Sequence, residues 1–80
     1  MTFKVSGREF SIIKGSDVGR DGVYVELNEI ISGEEKWLFE RFYFDETRIK
    51  ECSFEKGDIP FEALAKLLEV ADEWLEPIKD

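Results

Sequence analysis

Asp17, Asp21 and Gly22 stand at the spacing of the first, fifth and sixth positions of a calcium-binding loop, so they are the first residues to test for chemistry. The pattern then fails. Its third position is Gly19 and its twelfth is Asn28, so an oxygen ligand and the closing bidentate glutamate are both missing, and the flanking residues alternate like strands. The stretch reads as a turn rich in Asp and Gly. The spacing of Gly15, Gly19 and Gly22 matches neither the dinucleotide fingerprint nor the phosphate loop. Histidine is absent, and with it the usual general base near neutral pH, the commonest metal ligand and the Ser-His and Cys-His nucleophile pairs. Nineteen Asp and Glu residues leave paired carboxylates as the remaining acid–base route. With so many acids in a short chain, some pair must lie close, and closeness is not diagnostic. The expectation is a protein that is not an enzyme and needs no cofactor or metal. The single cysteine, Cys52, lies two residues from Lys50, but a small hydrophobe packed inertly in the core is the expected role.

The charge balance limits the partners. Eleven Lys and Arg against nineteen Asp and Glu give a formal net charge of −8 on 80 residues. Nucleic acid and anionic membrane surfaces are polyanions, and no basic patch offsets the repulsion, so neither is an expected direct partner. A lone cysteine forms no internal disulfide, and neither a spanning apolar run nor a signal-peptide pattern is visible, so the expected location is cytoplasmic. Hydrophobic residues make up 42% of the chain and aromatic residues 14%, enough apolar surface for one small folded domain over 1–80.

Five segments alternate with strand period and are separated by turn signals: about 2–5, 9–14, 23–31, 36–44 and 48–54. Ser6-Gly7 marks the first turn, residues 14–22 read as a loop closed by Asp21-Gly22, and 32–35 read as a four-residue loop. Short connections force antiparallel pairing. From about 60 to 76 the apolar residues recur every three or four positions. Pro60 sits in the first turn, and Pro77 stops the helix. Leu64, Leu68, Ala71 and Leu75 are expected to face the sheet. The predicted fold class is α+β: an antiparallel β-meander of about five strands with one C-terminal helix packed on one sheet face.

A four-residue loop at 32–35 sets Ile31 opposite Lys36. Tyr24 then meets Tyr43, Glu26 meets Arg41 and Ile30 meets Trp37, combining aromatic and opposite-charge cross-strand pairs. Tyr24, Ile30, Trp37, Phe39 and Tyr43 would share one face with Glu26 and Arg41 between them. One helix covers one face of a five-stranded sheet, so this face would need another cover: a partner, a second copy, or the 14–22 loop folded over it. Aromatic residues with an arginine are enriched at interface centres. A turn of three or four residues after Phe44 leaves both placements of Cys52 and Phe54 open.

The negative charge is concentrated in residues 26–46 and 58–80. Asp72, Glu73 and Glu76 fall at the helix C-terminus, where the macrodipole disfavours anions, and Asp72 and Glu76 form a like-charge pair one turn apart. They read either as a solvated face or as acids set out for a cationic partner. The chain is similar, in its small size, acidity and aromatic content, to bacterial immunity proteins and phage-encoded inhibitors that occlude basic sites on nucleases. That resemblance is one of profile and rests on no motif. Two functions follow as expectations. The first is a non-enzymatic module that binds a protein with a basic surface through Tyr24, Glu26, Trp37, Phe39, Arg41, Tyr43, Asp72, Glu73 and Glu76. The second is a homodimer that buries the aromatic sheet face.

Overall fold

Alternating apolar residues become strands here because each can bury one face beneath the helix, and the turn chemistry decides which face that is. A computed structural model describes residues 1–55 and 57–75. Five antiparallel strands, β1 (Thr2–Val5), β2 (Arg8–Asp17), β3 (Gly22–Ile31), β4 (Glu34–Phe44) and β5 (Lys50–Phe54), form one open sheet in sequence order. The helix α1 (Phe61–Leu75) follows and packs mainly on β3, flanked by β2 and β4. The predicted α+β meander with one C-terminal helix is the fold.

Two hairpins close through identical Ser-Gly dipeptides. Ser6 and Gly7 have φ of 52° and 78°, and Ser32 and Gly33 have 52° and 81°. Positive φ at both central residues is the two-residue turn whose twist matches that of the flanking strands. The expected four-residue loop at 32–35 is therefore wrong: β4 begins at Glu34, and Ile31 pairs with Glu34. The expected loop at 14–22 also shortens, because β2 runs on to Asp17, which pairs with Gly22. Only 18–21 turn, held by the Asp17 carboxylate. Its Oδ1 accepts the N–H groups of Gly19 and Arg20 at 3.0 and 3.3 Å. The last strand starts at Lys50 rather than 48, after a turn in which the Arg48 N–H donates to the Phe44 carbonyl at 3.0 Å.

A register shift in β4 interrupts the ladder with β3. Asn28 pairs with Trp37 and Leu27 with Phe39, so Leu38 is the extra residue of a β-bulge. The bulge sends two consecutive apolar side chains the same way: Leu38 and Phe39, 4% and 1% exposed, both enter the core with Phe10, Ile12, Val25, Leu27, Ala63, Leu67, Val70 and Ala71.

On the helix the buried stripe is Ala63, Leu67, Val70 and Ala71, with Leu64, Leu68 and Trp74 half-buried beside it. The stripe is rotated from the expected one. Alanine is small, so Ala63 and Ala71 let the helix approach the sheet, while the larger Leu64 and Leu68 fill the flanks. Phe61, which also falls on the three-to-four apolar repeat, is 82% exposed because it starts the helix, where the N–H groups of Ala63 and Leu64 bond the Pro60 carbonyl. The Leu75 side chain, Glu76 and Ile78 lie outside the described residues. No described helix is long and apolar enough to cross a membrane.

Candidate functional site

Strand alternation and the register assign every sheet residue to the helix side or to the open side. Tyr24, Glu26, Asn28 and Ile30 of β3 lie on the open side, and Trp37 joins them as the partner of Asn28. Past the bulge the parity inverts. Phe39, Arg41 and Tyr43 pair with Leu27, Val25 and Val23 and so lie on the helix side. The expected single aromatic face is split in two. One inserted residue flips every side chain beyond it, and Glu40 and Phe42 take the open-side places, opposite Glu26 and Tyr24, expected for Arg41 and Tyr43.

The expected charge pairing fails with it. Glu26 faces Glu40 instead of Arg41. Arg41, 11% exposed, reaches the helix and donates from Nη1 to Asp72 Oδ1 at 2.7 Å. Asp72 thus has a cation from its own chain, which relieves part of the macrodipole penalty at that end of α1. Glu73 is exposed on the same helix, and Glu76 lies outside the described residues. The helix acids and the open face are on opposite sides of the sheet, and one flat partner surface cannot touch both.

The open face has two halves. Near the 18–21 turn, two glycines make room for flattened aromatic rings. A Cβ at Gly15 would run into the ring and hydroxyl of Tyr24, its cross-strand partner, and one at Gly22 would meet both the Phe42 ring and the Tyr43 carbonyl. Phe42 is 1% exposed although it lies outside the core beneath the helix. Its cover is Arg20, whose guanidinium sits 3.8 Å from the ring centroid. Asp17 and Glu40 fix that guanidinium, with Arg20 Nε 2.7 Å from Asp17 and its two terminal nitrogens each 3.1 Å from Glu40. These bonds raise the Arg20 pKa, the Glu40 bond most strongly. The 14–22 segment does fold over the face, but only as far as Phe42.

The other half is acidic and aromatic. Trp37 is half-buried beside Asn28, and the Ser11 hydroxyl donates to Glu35. Burial pushes the Glu26 carboxyl above the ordinary glutamate range; a hydrogen bond with Asn28 opposes this, and the charges of Glu40 and Glu35 reinforce it. Among the described residues, neither Glu26 nor Glu35 is ion-paired.

Arg20, Glu35, Glu40 and Phe42 were not singled out by sequence reasoning. The available signal was Gly15 and Gly22 in an alternating stretch beside Tyr24, a pattern in which glycines lie under aromatic rings. Cys52 corrects another expectation. It is exposed on the helix side of β5, because α1 packs mainly over β2 to β4. No group of three or more Cys, Asp or Glu among the described residues is placed to hold a metal ion. Asp17, the first residue of the calcium-loop spacing, is engaged by Arg20 and the turn backbone. Comparisons with family models, with curated proteins and with solved structures return no match for this chain.

Proposed function

We propose that the protein is a non-enzymatic binding module that receives a basic surface of a partner protein on the open sheet face. The observation that carries this reading is Trp37 on the same open face as two carboxylates, Glu26 and Glu35, that are not ion-paired among the described residues, the charged form of Glu26 being disfavoured by burial and then by crowding with Glu40 and Glu35. A partner Lys or Arg placed between them would relieve that crowding, and the indole offers a flat apolar anchor of the kind that dominates interface energetics. The net charge of −8 would steer such a partner in. Function by occlusion follows: a basic groove that normally holds nucleic acid would be covered, as an inhibitor or immunity-type protein covers one. The exposed thiol of Cys52 suits a reducing compartment, so action in the cytoplasm is part of the proposal. Burial of this face against its own copy is disfavoured, because Glu26, Glu35 and Glu40 would meet their equivalents.

A nona-arginine peptide tests the reading without a known partner. Titrated into isotopically labelled protein, it should shift the indole N–H of Trp37 and the amides of Glu26 and Glu35. The indole of Trp74, on the helix side, should stay still. Trp37→Ala and Glu26→Gln should each weaken that binding. Shifts centred on Glu69, Asp72 and Glu73 would move the site to the helix and defeat the proposal.

A further inference from the structure

The sheet ends on β5, a short edge strand blunted by little more than the charges of Lys50 and Glu51. All five residues, Lys50–Phe54, are exposed, with no proline, glycine or bulge among them. The Phe44 N–H donates to the Ile49 carbonyl at 3.0 Å, and the Glu55 N–H donates to the Leu38 carbonyl at 2.9 Å. Odd-numbered residues of this segment therefore turn their backbone groups toward β4. Antiparallel alternation aims the N–H and C=O of Cys52 and Phe54 outward, where no described strand pairs with them.

We propose that β5 is the contact between two copies of this chain, paired antiparallel about a two-fold axis at Cys52 to make one ten-stranded sheet. Charge and pairing select occupant and register. β5 and its sequence flanks are nearly charge-balanced, with Arg48, Lys50 and Lys56 against Glu51 and Glu55, so the −8 of the chain is not concentrated at this edge. With the axis at Cys52, the whole strand pairs: Lys50 lies opposite Phe54 of the second copy, and Glu51 lies opposite Ser53. Moving the axis to Glu51 opposes two Glu51 carboxylates and pairs only Lys50 with Cys52, and moving it to Ser53 pairs only Cys52 with Phe54; like charges directly opposite destabilise a ladder, and so do lost pairs. The register also covers Phe54, which is 60% exposed with its ring centroid 4.6 Å from that of Phe39. A two-fold axis normal to the sheet puts both helices on one side. Both open acidic faces then share the other side, and the dimer would present them together to a basic partner.

Sedimentation velocity over a concentration series is the test, read beside cross-linking with a short bis-maleimide. The chain has one cysteine, so any covalent dimer must join Cys52 to Cys52. The expected result is a reversible dimer, cross-linked in high yield and strengthened by added salt, since each copy carries the same net charge. Binding of nona-arginine to the open face should respond to salt in the opposite sense. Cys52→Pro removes an outward ladder bond from each copy and should weaken the dimer about tenfold or more. Cys52→Lys, an exposed substitution that leaves the fold alone, should weaken it through like charges at the axis. A wild-type chain that stays monomeric to about 1 mM, or a dimer that survives both substitutions, overturns the proposal.

Discussion

Replacing Leu67 by Ala, and separately Leu68 by Ala, measures which stripe of α1 faces the sheet. Leu67 is 0% exposed and lies within the core cluster, whereas Leu68 is half-buried at its margin. Truncating a fully buried leucine costs about 2–5 kcal/mol through lost transfer energy and the cavity left behind. At about 0.05–0.15 kcal/mol per residue, a chain of 80 residues has about 4–12 kcal/mol in total, so Leu67→Ala removes a large part of it. Leu68→Ala, at a site that solvent already reaches and that neighbours can collapse into, should cost about half as much. For a domain of this size each kcal/mol moves Tm by about 4–8 °C, so Leu67→Ala should lower Tm by about 10 °C or more. Urea unfolding followed by circular dichroism gives both values, with an unchanged slope showing that the denatured state is the same. A cost for Leu68→Ala equal to or above that for Leu67→Ala would refute the packing described. Adjacent helical residues are about 100° apart, so that result would rotate the helix onto Leu64, Leu68 and Ala71.

Glu26 gives a prediction in pH. Its carboxyl is raised in the folded state, so the native chain binds that proton more tightly than the unfolded chain does. The stability it confers is complete below the ordinary glutamate range and is lost as pH rises through the raised value. Glu26→Gln should therefore be more stable than wild type at pH 7, because the amide escapes the burial penalty on the charge and, secondarily, a like-charge cross-strand contact with Glu40 of about 0.2–1 kcal/mol, with the difference closing below about pH 4. A gap that is constant with pH, measured by urea unfolding at several pH values, would show that charge is not the cause. Gly22→Ala should destabilise more than Gly15→Ala, by about 1–3 kcal/mol, because the new Cβ at 22 meets the Tyr43 carbonyl of the backbone, whereas at 15 it meets only the Tyr24 side chain. Equal thermal shifts for the two would contradict that difference.

Local chemistry determined the order of elements. Ser-Gly dipeptides, period-two alternation and a three-to-four apolar repeat after Pro60 are short-range signals, and each acts through the backbone of a few residues. Short connections then leave an antiparallel meander as the arrangement they allow. The second Ser-Gly turn is equally legible, since Ser32-Gly33 repeats Ser6-Gly7, but a longer loop matches Tyr24 with Tyr43 and Glu26 with Arg41, and cross-strand pairing alone favours that register. Of the candidate site, Tyr24, Glu26 and Trp37 were readable because they lie where alternation is undisturbed or before the parity changes.

The rest depended on long-range packing. Alternation cannot register one inserted residue, and nothing local in Trp37-Leu38-Phe39 marks a bulge. It forms where Leu38 and Phe39 can both be buried under a helix that begins more than twenty residues later. That burial carries Arg41 to Asp72 and sets Phe42 beneath Arg20. The reach of the helix decided Cys52 in the same way: spacing gives a strand residue its side of the sheet, but only the position of α1 over β2 to β4 leaves β5 uncovered. Sequence period fixes direction along the chain, whereas exposure depends on what other segments cover, and that was decided by the close approach of Ala63 and Ala71 to the sheet.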